Sequence, residues 1–167
     1  FRRRDVANRQ FAADPRSANL IQTVADIASP TGQWPEAVHP RTGGGCMGDG
    51  QHIWAAAEWI IMLRNCFVRE EGNRLILASG LFERWLSSRD VLKLGPTPTP
   101  FGMITVQIVP GEEEVEVQWS ADWRGDPPTI EIAPPGCTPK LVNGADEQVT
   151  IPRRTIPTTS AETNPGH

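Results

Sequence analysis

Several features that would narrow the function at once are missing from this 167-residue chain. It has three cysteines, Cys46, Cys66 and Cys137, an odd number with no C-x-x-C pair. That count argues against a disulfide framework and favours a reducing, cytoplasmic setting. Cys66 lies within an apolar stretch and reads as an ordinary buried thiol. A basic excess is lacking too: 16 Lys and Arg face 20 Asp and Glu, for a net charge of −4. Nucleic-acid binding needs a basic face, so nucleic acid is not expected as a partner; Arg2-Arg3-Arg4 is too short to change that. Long apolar runs are also absent. The longest, Ile53 to Leu63, contains Glu58 and is too short to span a bilayer, so no membrane partner is expected. Residues 1–15 carry no apolar run of the kind a secretory signal needs.

What is present is a loop-rich chain with a change of character near its middle. Apolar residues make up 38%, low for a self-sufficient core, and 15 Gly with 16 Pro imply much irregular structure. The length suits one domain or two small ones. Asp5 to Ala13 reads as helix, ended by Asp14-Pro15. A second helix, capped by Asp14 or Ser17, carries Leu20, Ile21, Val24 and Ile27 at helical spacing before Ser29-Pro30. A third runs from about Gln51 to Val68 and is apolar nearly all round, so it should be buried by neighbours. Two helices cannot bury it. Together with the start at Phe1, that suggests a piece of something longer, completed by the rest of a parent polypeptide or another helical partner.

Beyond Glu70 the period shifts to two. Arg74 to Ser79 reads as a strand, Gly80 to Ser88 as a short helix, and Gly95 to Pro100 as a stiff linker or edge segment. Strands follow over 103–109, 115–119, 129–132 and near 148–151, separated by Pro110-Gly111 and Gly125-Asp126-Pro127-Pro128. Val115, Val117 and Trp119 alternate with Glu114, Glu116 and Gln118, one face buried and one wet. This half reads as an antiparallel β-sandwich. The tail from Arg153, poor in apolar residues, reads as disordered. The expected organisation is therefore 1–70 helical, 71–152 β-rich and 153–167 a tail.

The loop from Thr31 to Gly50 holds the groups able to do chemistry. Gly43-Gly44-Gly45-Cys46-Met47-Gly48 spells G-x-G-x-x-G, but nucleotide binding requires a preceding strand within a βαβ unit, and a helix precedes it here. His39, Cys46, Asp49 and His52 do not have the spacings of zinc ligands, so neither metal nor cofactor is expected. Glu36, by contrast, sits beside Trp34 and upstream of Asp49, His52 and Trp54. Aromatic faces with carboxylates bind sugars, and hydrolysis of a glycosidic bond takes two such acids, about 6.5–9.5 Å apart where a water must fit between them.

Trp34-Pro35-Glu36-Ala37-Val38-His39-Pro40-Arg41-Thr42-Gly43, followed by Gln51-His52-Ile53-Trp54-Ala55-Ala56, resembles a segment of the six-hairpin glycoside hydrolases. The likeness is to the glucosidase and trehalase group, glycoside hydrolase family 63 and its relatives. It covers some two dozen residues, with His39 in place of the usual Asn and Ala55 in place of Ser. The resemblance implies an α+β chain: the last α-helices of an incomplete (α/α)₆ barrel, followed by a small antiparallel β-sandwich. It also implies an oligosaccharide substrate of glucoside type. Glu36 would be the general base of an inverting hydrolase, and Trp34, His39, Asp49, His52 and Trp54 would line the sugar site. The general acid of such enzymes lies on an earlier element, so this chain alone should be inactive. A carbohydrate-binding or interaction protein without turnover is the alternative.

Overall fold

The computed structural model describes residues 16–47 and 50–154. The helix read over Asp5 to Ala13, the tail beyond Arg154 and the candidate Asp49 lie outside those residues. Within them are three α-helices and ten strands, and the expectation of an incomplete (α/α)₆ barrel is overturned. Helix α1 (Arg16–Ile27) and helix α2 (Ile53–Phe67) do not form a barrel hairpin. The chain between them makes a small antiparallel hairpin of strands β1 (Ala37–Val38) and β2 (Gly45–Met47). Both helices instead lean on β-structure. Ile21 of α1 and Cys66 of α2 belong to the same core as the strands, and the Gly80 amide donates to the Cys66 carbonyl at 3.1 Å.

That β-structure follows α2 without a linker. Strands β3 (Val68–Glu71) and β4 (Arg74–Leu77) pair antiparallel around the turn at Gly72. A five-residue helix, α3 (Glu83–Ser87), leads into β5 (Leu92–Thr99), β6 (Gly102–Pro110) and β7 (Glu114–Trp123). Strands β8 (Thr129–Ile132) and β9 (Lys140–Asn143) precede a turn of 3₁₀-helix (Gly144–Asp146) and strand β10 (Gln148–Pro152). One sheet has the order β10-β7-β6-β5, entirely antiparallel; the other has β3-β4-β8-β9. In the second sheet β4 and β8 run parallel, with Leu75 opposite Ile130 and Leu77 opposite Ile132. This sheet is therefore mixed.

The strand sequences explain where the core lies. In β6, Ile104, Val106 and Ile108 point inward; in β7, Val115, Val117 and Trp119 do the same. From the other sheet come Val68, Leu75, Leu77, Ile130 and Ile132, and these side chains form one cluster with those of the first. Burying each such aliphatic side chain contributes about 1.5–3 kcal/mol. Leu75-Ile76-Leu77 is buried throughout because β4 is a central strand, covered on both faces. The Gly95–Pro100 stretch proves to be largely edge strand, in β5, with a register shift between Leu94 and Thr97. The Trp119 indole N–H donates to the Gly144 carbonyl at 2.9 Å, tying the 3₁₀ turn to β7. Arg153 and Arg154 still bond into the sandwich through their amides, to the Glu113 and Gly136 carbonyls.

Helix α2 departs from its expected burial. Ile53 is 84% exposed and Trp54 70%, and Ile60 and Ile61 are exposed as well. Of its fifteen residues, Cys66 alone is fully buried. Among the described residues no helix is long and apolar enough to cross a membrane.

Candidate functional site

The glycine-rich loop is ordered by its backbone, in steps that follow from its sequence. The Glu36 amide donates to the Met47 carbonyl and the His39 amide to the Gly44 carbonyl, each at 2.9 Å, which closes β1 on β2. The Gly43 amide returns to the His39 carbonyl at 2.9 Å, and the turn places Gly43 at φ +70°, where glycine carries no steric cost. A Cβ on Gly45 would come within 2.9 Å of the Pro35 ring, so the two sides of the hairpin approach closely only because that side chain is missing.

Both ends of this segment are fastened down. Trp34 is 8% exposed; its indole N–H donates to the Val24 carbonyl at 2.7 Å, and its ring meets Trp59 with centroids 5.5 Å apart. The Trp34 carbonyl accepts from the His52 amide at 2.8 Å. Trp34 therefore anchors the loop between α1 and α2, and its ring is not open to a sugar. His52 is the half-buried N-cap residue of α2 and makes no side-chain cap bond.

The remaining candidates face solvent. His39 is exposed, and its Nδ1 accepts from the Arg41 and Thr42 amides, both at 3.3 Å. In the neutral ring that leaves the hydrogen on Nε2, available to an acceptor. Trp54 presents most of its ring to water while its Nε1–H donates to Glu58 Oε1 at 3.1 Å, one turn further along. Glu36 is exposed, and its carboxylate has no hydrogen bond or ion pair among the described residues. The other two described acids of residues 16–67 are both engaged, Asp26 with Gln22 at 2.8 Å and Glu58 with Trp54. Cys46 is an exposed free thiol on β2.

Among the described residues no three His, Cys, Asp or Glu side chains converge as metal ligands would. Trp59 was not singled out by the sequence reading, although it braces Trp34. Its position one turn after Ala55, on the side of α2 turned to α1, is the signal that would have found it. No family model, no curated protein and no solved structure matches the chain.

Proposed function

We propose that Glu36 is the general base of an inverting glycoside hydrolase acting on a glucoside-type oligosaccharide. The observation that carries this reading is the state of Glu36 itself: an exposed carboxylate without an internal partner, on a hairpin held at both ends. Within residues 16–67 it is the one described carboxylate so placed, since Asp26 and Glu58 are engaged by Gln22 and Trp54. Free of such bonds, Glu36 is able to accept a proton from water. The water oxygen attacks the anomeric carbon from the face opposite the leaving group, and an acid on the other face protonates the departing oxygen. That acid comes from outside the described residues. His39, through its Nε2–H, and the exposed face of Trp54 would contact the sugar hydroxyls and ring.

The exposed Trp54 ring favours a second reading, a carbohydrate-binding surface without turnover. One experiment separates the two. In the full-length protein, Glu36→Gln should lower glucoside hydrolysis by about 10²–10⁴-fold and leave sugar binding nearly unchanged. Hydrolysis at the wild-type rate by that variant would remove Glu36 from the role. Binding that quenches fluorescence in the wild type but not in Trp54→Ala, with no reducing ends formed by either, would establish the second reading.

A further inference from the structure

Helices α1 and α2 do not meet along their whole length. Between them runs a groove of about 490 Å³, a size that suits small-molecule ligands. On α1 its wall is Ser17, Ile21 and Val24; on α2 its apolar wall includes Ala55, Trp59, Met62 and Cys66, spaced at three and four residues and so on one face. Burial pushes the Cys66 thiol up to about 11, in keeping with a wall of low polarity.

The polar groups of the groove are unevenly placed. Asn65 and Arg69 lie towards the C-terminal end of α2, and Glu58 lies seven residues before Asn65, about 10 Å along the helix axis. Arg69 is only 9% exposed. Its Nε donates to Ser79 Oγ at 2.9 Å, and Nη1 is 3.5 Å from Glu71 Oε1, yet Nη1 is buried without any hydrogen bond. Glu71 is itself shared with Arg74, at 3.2 Å. Asn65 uses its Oδ1 to accept from Arg64, which leaves its amide N–H groups as donors. One end of the groove therefore offers hydrogen-bond donors and an incompletely satisfied buried cation. Apart from Ser17 on α1 the rest is apolar, and the carboxylate of Glu58 lies at the other end.

A buried donor without a partner carries a desolvation cost that an acceptor relieves. We infer that the α1–α2 groove binds a small molecule with an apolar body and a terminal carboxylate, its head against Arg69 and Asn65 and its body along Ile21, Val24, Trp59 and Met62. An acidic head is repelled by Glu58 at the opposite end, so the charge pattern also sets the orientation. The site is separate from Glu36 and does not depend on the hydrolase reading.

The test is titration of the full chain with octanoate and with 1-octanol, followed by calorimetry and by tryptophan fluorescence. The wild type should bind octanoate at least about tenfold more tightly than octanol, the value of one hydrogen bond to a charged group. Arg69→Gln should remove that preference, and Val24→Trp, which fills the groove, should abolish binding of both. If Arg69→Gln does not fold, Asn65→Leu carries the same test, lowering octanoate affinity several-fold and leaving octanol unchanged. Equal affinity for the two probes in the wild type would overturn the proposal, as would undiminished octanoate binding by Val24→Trp. Self-association that octanoate does not disturb and Val24→Trp abolishes would also overturn it, assigning the groove to a protein partner.

Discussion

Residues 68–152 and residues 16–67 treat their apolar side chains in opposite ways. In the sandwich, Val106, Ile108, Val115, Val117, Ile130 and Ile132 are all fully buried, and each alternates with a polar or half-exposed neighbour. In the N-terminal region, Ile53, Trp54, Ile60 and Ile61 stand in water on a helix with little polar surface. The first pattern is what stability demands, since burial of apolar area is the main favourable term in folding. The second adds no such term. It keeps a hairpin, an exposed indole and a groove accessible to other molecules. The unpaired carboxylate lies in this same region. The difference teaches that the sandwich holds the molecule together, while the helical region leaves apolar side chains and an unpaired carboxylate exposed to solvent.

The sharpest way to break that comparison is to truncate one apolar residue in each region. Leu75→Ala, in the central strand of the mixed sheet, should lower the unfolding free energy by about 2–5 kcal/mol in a denaturant titration. Ile60→Ala, of similar chemistry on α2, should change it by less than about 0.5 kcal/mol. Comparable losses at the two positions would mean that α2 is buried by something in solution.

The seam between the regions has its own signature in pH. Cys66 is 3% exposed and its thiol is raised from 9.0 to about 11 by burial, so the folded state holds its proton more tightly than the unfolded chain does. Its contribution is intact below pH 9 and is lost as pH rises towards 11, because the unfolded state gains by ionising first. Melts across that window should show the wild type losing about 2 kcal/mol more than Cys66→Ala. Identical pH profiles would place Cys66 in contact with water. A smaller effect is expected at the loop anchor. Trp34→Phe keeps the ring but removes the donor to the Val24 carbonyl, and should cost about 1–2 kcal/mol in the same denaturant assay.

The β half was legible wherever side chains alternate. Strand β8 falls on residues 129–132 as read, and β6 and β7 extend their expected ranges by two and five residues. Strand β3 escaped because Val68-Arg69-Glu70-Glu71 looks like a charged turn. Arg69 and Glu71 are nonetheless buried, tolerated through bonds to Ser79 and Arg74 that no local pattern announces. Strand β9, at a sheet edge with Leu141 exposed, offers little alternation to read. The barrel expectation failed for a different reason. Two dozen residues around Glu36 carried the likeness, and they specify a loop and a helix start without specifying what the helix packs on. Glu36, in that loop, and Trp54, in the first turn of α2, are both exposed. The resemblance implies a sugar-lining role for Trp34, but a likeness in sequence says nothing about which way an indole turns, and this one turns inward.

The division between a buried sandwich and an exposed helical region is open to one direct measurement, native-state hydrogen exchange resolved to single amides. Amides of β6 and β7 should exchange only through global unfolding, whereas those of the β1–β2 hairpin and the first two turns of α2 should open at a smaller free energy. Protection over Ile53–Ile60 equal to that of β7 would contradict the division, because it would make the exposed helix as much a part of the stable core as the sandwich.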